Sequence, residues 1–91
     1  MKKLTVERLI TKLSNIGICL MDEQSFIEDK GHTSGMYTMN DLQRIIDYVK
    51  SVVKDANNIE NKITTAQVQF LCASIATMSQ LIIDFINNEE V

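Results

Sequence analysis

The chain has 91 residues, 45% of them hydrophobic and 23% charged, with a formal net charge of −3. That length predicts one domain spanning 1–91. Folding a chain this small buries only about 60–65% of the surface it exposes when unfolded, so self-association would add useful stability. The mildly acidic balance and the absence of a concentrated basic face argue against nucleic acid, because neutralising phosphates supplies most of a binder's affinity there.

Hydrophobic spacing predicts an all-α chain of three helices. The first starts near Thr5 and carries Val6, Leu9, Ile10, Leu13, Ile16 and Leu20 at intervals of three and four, one face of a helix. Ile27 continues the stripe, so the helix is expected to run to about Asp29 and to stop at Gly31. Gly17 lies inside it at a cost of up to about 1 kcal/mol relative to alanine. A bend or break near Met21–Asp22 is therefore expected. Asp22, Glu23, Glu28 and Asp29 read as a solvated acidic patch.

The connection Lys30–Tyr37 is the Gly-rich part of the chain, with Gly31 and Gly35. Thr38 is positioned to cap a second helix, Asp41 to face its dipole, and Tyr37 to staple onto Leu42. The core stripe of this helix is Leu42, Ile45, Ile46, Val49, Val52, Val53 and Ala56, and Asn57–Asn58 ends it. Asp41, Arg44, Asp47, Lys50, Ser51, Lys54 and Asp55 form its water-facing side, with Asp41–Arg44 and Asp47–Lys50 spaced to pair across three residues.

The third helix is expected to begin at Thr64, with Gln67 completing a capping box and Ile63 stapling onto Val68. Its main stripe is Val68, Leu71, Cys72, Ile75, Ser79, Ile82 and Ile86. With no proline in the chain, the three helices read as an up-down-up bundle.

One segment departs from the ordinary pattern. Ile63 to Ile83 contains no charged residue, and its 21 positions match a membrane span in length. Eight of the 21 are Thr, Gln or Ser, too polar to favour lipid, so no membrane is expected. A surface helix normally carries Lys and Glu outward. Here Phe70, Ala73, Thr77 and Leu81 make a second, uncharged face, the composition of an interface core, which predicts a homodimer completed through this helix. The plainer explanation is a central helix covered on both sides by the other two.

Motifs for chemistry are absent from the sequence: it has neither a Gly-x-Ser-x-Gly elbow, a phosphate loop ending in Gly-Lys-Ser/Thr, nor HExxH. His32 is the sole histidine, and no set of residues has metal-ligand spacing. No enzyme activity, cofactor or metal is therefore expected. Cys19 and Cys72 both fall on apolar faces, so both should be buried, reduced and inert. Without an apolar stretch after Lys2 and Lys3, the expected location is the cytoplasm. Richness in Ile, Lys and Asn without Pro or Trp is a bias common in low-GC bacterial and phage genomes.

Two functional readings follow. The first is a regulatory or inhibitory protein that binds itself and a further protein. The second is a small-ligand or nucleotide-sequestering protein with a site at the Gly31–Tyr37 loop. There Lys30, His32, Thr33, Ser34 and Tyr37 precede a helix N-terminus that favours anions. A purely structural loop would tolerate His32→Ala and Ser34→Ala within about 0.5 kcal/mol.

Overall fold

The computed structural model describes residues 6–57 and 62–89, with side chains described for 7–57 and 65–88. Three helices follow one another: α1 (Val6–Lys30), α2 (Met39–Ala56) and α3 (Lys62–Glu89), and no strand occurs among the described residues. The longest, α3, has 28 residues. At 1.5 Å per residue it is about 42 Å long, and it accounts for most of the 46 Å long axis of the molecule.

α1 runs through Gly17 and Met21 as one continuous helix, so the glycine does not break it. A Cβ built on Gly17 would meet Ile75 Cγ1 at 3.6 Å and Met78 Cε at 3.9 Å, so α3 passes close beside this point. The expected stop is present. Gly31 has φ +78° and its N–H donates to the Ile27 carbonyl at 2.8 Å, a left-handed cap that a Cβ would strain. The expected start at Thr5 lies outside the described residues.

α2 forms as its sequence directs. Thr38 Oγ1 accepts from Asp41 N–H, and Asp41 Oδ2 accepts from Thr38 N–H, both at 3.2 Å, a reciprocal box that satisfies two orphan donors. Hydrogen bonds from the Thr38 backbone, then from its side chain, hold the Asp41 carboxyl below the usual carboxylate range. All seven residues assigned to the outer face are exposed. The two ion pairs foreseen there do not close within 4 Å. Asp41 is occupied by the cap and feels Arg44 only as a nearby charge, while Asp47 accepts from Gln43 Nε2 at 3.3 Å.

The start of α3 corrects the sequence expectation. The helix is already formed at Lys62, so Thr64 lies within it and does not cap it. Neither Lys62 nor Ile63 is a proline or glycine, and Lys62 is a better helix former than threonine, so nothing local makes the helix wait for Thr64. The foreseen staple of Ile63 on Val68 falls on a side chain outside the described residues.

The core joins all three helices. It contains Leu13, Leu20 and Ile27 of α1; Leu42, Ile46, Val49, Val52 and Ala56 of α2; and Val68, Cys72, Ile75, Ile82 and Ile83 of α3. Ser79 is also fully buried, and its hydroxyl has no hydrogen-bond partner. α3 occupies the middle. It packs on both α1 and α2, whereas no Cα of α1 lies within 8 Å of a Cα of α2. Between those two outer helices only side chains reach across, as where Lys12 Nζ stands 5.3 Å over the Tyr48 ring.

Candidate functional site

A central helix with neighbours on two sides still has a third side, and α3 leaves its own uncovered. Ala66, Gln67, Phe70, Ala73, Thr77, Gln80 and Leu81 are all exposed, and the first exposed charge after them is Asp84. The four residues assigned to an interface, Phe70, Ala73, Thr77 and Leu81, therefore lie together on one open face. Phe70 is 73% exposed and Leu81 50% exposed, unusual for side chains of that size. Thr77 Oγ1 donates to the Ala73 carbonyl at 2.9 Å, so this hydroxyl is satisfied within its own helix and needs no water.

The face continues into grooves along α1. Beside Phe70, an open groove of about 500 Å³ is lined by Ile10, Ala66, Gln67, Phe70 and Leu71. At the other end of the face, Leu81 borders a smaller one with Gln24, Ile27, Glu28, Ile82 and Phe85. Ile10 belongs to the stripe assigned to the α1 core, yet it is only half-buried and forms a wall of the first groove. Thr65–Asn88 is long and apolar enough to cross a membrane by length and composition alone. Its inward positions Val68, Cys72, Ile75, Ser79, Ile82 and Ile83 are nonetheless buried against α1 and α2.

The loop before α2 is organised by a residue that the sequence reading placed in a solvated patch. Glu23 is 3% exposed. Its carboxylate accepts from Ser34 N–H at 2.9 Å through Oε1 and from the Ser34 hydroxyl through Oε2. Ser34 Oγ in turn accepts from Met36 N–H at 3.2 Å. Tyr37 is half-buried against the core near Cys19 and Glu23. Burial first, then interaction with the Cys19 thiol, then the Glu23 charge push its phenol above the ordinary value of 10.0. The five loop residues therefore divide. Ser34 and Tyr37 turn toward Glu23, while Lys30 pairs with its exposed neighbour Asp29 at 3.5 Å. His32 places Nδ1 2.9 Å from the Thr33 carbonyl and sets its ring edge-on to Phe26. Thr33 is half-buried.

The local charge disfavours an anion at this loop, because the inward donors of Ser34 already face a carboxylate. The adjoining hollow is lined by Cys19, Asp22, Glu23, Phe26, Ser34 and Met36, which adds a second acidic residue. Among the described residues no group of three or more His, Cys, Asp or Glu side chains is placed to hold a metal ion.

The cysteines separate as well. Cys72 is fully buried, and burial pushes its thiol up, but Cys19 is exposed, contrary to the sequence expectation. One step of 100° takes Cys19 from the buried Leu20 to the edge of α1, beside Tyr37 and outside the core. No family model, curated protein or solved structure matches this chain.

Proposed function

We propose that this is a non-catalytic helical protein that acts by binding protein surfaces through the open face of α3, its own copy included. The observation that carries this reading is the exposed run from Ala66 to Leu81, which lacks charge yet presents Phe70 and Leu81 to solvent. Burying such a face removes apolar area from water without stranding a charge. On this reading the chain is a cytoplasmic regulator or inhibitor whose bundle is completed by association. An up-down-up course fits the contacts: Ile10 lies with Phe70, Gly17 with Ile75 and Ile27 with Ile82, while Gln69 reaches Asn57 at the end of α2.

Light scattering across micromolar concentrations tests the reading, and a dimer mass is expected. Phe70→Ala should weaken the dimer while leaving the fold intact. A symmetric dimer holds two copies of Phe70, so a loss of about 1.5 kcal/mol from each amounts to roughly a hundredfold in Kd. Ala73→Glu, on an exposed position, should give a folded monomer. A one-chain mass at every concentration refutes the reading. So does partition of the chain into neutral phospholipid vesicles with α3 protected.

A further inference from the structure

α1 and α2 pack on α3 without their backbones meeting, and the cleft left between them has a chemistry of its own. It is a hollow of about 250 Å³, lined by Lys12 and Ile16 from α1 and by Arg44, Ile45 and Tyr48 from α2. Ile16, Ile45 and Tyr48 are half-buried against the core and supply an apolar floor. Lys12 and Arg44 are exposed, one on each wall. Lys12 Nζ stands 5.3 Å over the Tyr48 ring, and Arg44 precedes Tyr48 by one turn on the same side of α2. Each helix therefore brings one cation to the same aromatic ring.

The polar groups of this cleft are donors and cations without an acceptor among them. No acidic side chain lines it, and among the described residues neither cation has a carboxylate oxygen within 4 Å. Asp41, whose charge Arg44 does feel, is held in the cap of α2. The Tyr48 hydroxyl oxygen is shut off from solvent and has no hydrogen-bond partner. A buried donor without an acceptor is unfavourable, and so are like charges gathered over an apolar floor. Composition does not impose this in a chain of net charge −3. The hollow beside Ser34 carries Asp22 and Glu23 instead, and the groove beside Phe70 carries no charge. An inorganic anion would answer the cations but leave the floor wet, and a neutral apolar molecule would do the reverse. Arg44 offers a fork that fits a carboxylate or a phosphate, and Lys12 adds a point charge. We infer that the cleft between α1 and α2 binds a small organic anion, a carboxylate or phosphate head on a compact apolar body. Lys12 and Arg44 hold the head, the Tyr48 hydroxyl donates to it, and Ile16 and Ile45 pack on the body. None of these residues belongs to the open face of α3, so the site stands apart from the binding role proposed above.

Amide shifts in isotope-labelled full-length protein test it, during titration with naphthoate and with naphthyl phosphate at low salt. Naphthylmethanol and inorganic phosphate probe the body and the head alone. Shifts should saturate around Lys12, Ile16, Arg44 and Tyr48, with a Kd below about 1 mM for at least one naphthyl anion. The tighter of the two identifies the head. Naphthylmethanol and inorganic phosphate should each bind about tenfold more weakly or worse. Lys12→Gln and Arg44→Gln should each weaken the tighter anion about fivefold, and high salt should shrink that difference. Tyr48→Phe should weaken binding while leaving the urea midpoint of the free protein unchanged or higher, because it removes an unpaired buried donor. An absence of saturable shifts at the cleft overturns the inference, and so do shifts centred on Phe70 or Ser34. Equal binding of naphthylmethanol, or binding that both glutamine substitutions leave unchanged, overturns it as well. Unchanged affinity in Tyr48→Phe overturns the part given to the hydroxyl.

Discussion

The contact between Glu23 and Ser34 makes an asymmetric demand on stability, and the asymmetry can be measured. Glu23 is buried and Ser34 exposed. In Ser34→Ala the carboxylate keeps the backbone donor on Oε1 and loses the hydroxyl donor on Oε2, while the Glu23 side chain stays buried. Loss of a hydrogen bond to a buried charged oxygen costs about 2 kcal/mol. Glu23→Leu removes the charge instead. Its former donors sit on an exposed loop and turn to water, so this change should cost less than about 1 kcal/mol. In the double variant the serine no longer has a buried charge to satisfy, so the second substitution should add almost nothing. The expected coupling is therefore about 1.5–2 kcal/mol. Against the roughly 5–14 kcal/mol that a chain of this length can have, Ser34→Ala is a large change, lowering Tm by about 10 °C. Urea unfolding followed by circular dichroism reads all four proteins, at one shared protein concentration so that the proposed association does not enter the comparison. A cost for Ser34→Ala below about 0.5 kcal/mol, or equal costs with and without Glu23, would refute the argument.

Two further outcomes follow from the packing of α1. A thiol reagent should label Cys19 rapidly in native protein and reach Cys72 only after denaturation, and labelling of both at one rate would contradict the burial of Cys72. Gly17→Ala should raise stability by about 0.5–1 kcal/mol through helix propensity, because the added methyl meets Ile75 and Met78 at ordinary contact distances of 3.6 and 3.9 Å. A drop in the urea midpoint would show that α1 and α3 lie closer there than this.

What could be read from the sequence depended on how local its cause was. The capping of α2 by Thr38 and the exposure of its charged side both depend on residues within a turn or two, and both stand. Glu23 was hidden by its acidic neighbours Asp22, Glu28 and Asp29, although its register gave a signal. It lies three residues after Leu20 and four before Ile27, on the buried stripe itself, and a carboxylate in that position requires donors from elsewhere. Those donors come from Ser34, eleven residues away across a loop whose path no periodicity encodes. Ser34 therefore looked like a tolerant loop position until the path of the chain brought it to Glu23. At Thr64 the reverse held: a plausible local cap was overridden because the helix had already begun upstream.

The composition of α3 had two explanations at the level of sequence, an interface or a central position, and each accounts for a different side of the helix. The central position explains Val68, Cys72, Ile75, Ser79, Ile82 and Ile83, which are buried because α1 and α2 flank α3 without meeting each other. It does not explain the outward side. Nothing in the core prevents Gln67, Ala73, Thr77 or Gln80 from being Lys or Glu. α2 shows the usual result, with Asp41, Arg44, Asp47, Lys50, Lys54 and Asp55 all exposed. Both helices belong to one chain and meet the same solvent, so solubility favours charge equally on their outward sides. A helix that forgoes it from Ala66 to Leu81, more than four turns, while exposing a phenylalanine and a leucine is not explained by its own core alone. On the proposed reading, the reason is burial of this surface on association. Phe70→Ala and Ala73→Glu separate the two explanations because they leave the buried side untouched. If α3 is only central, both should leave the mass of the protein unchanged.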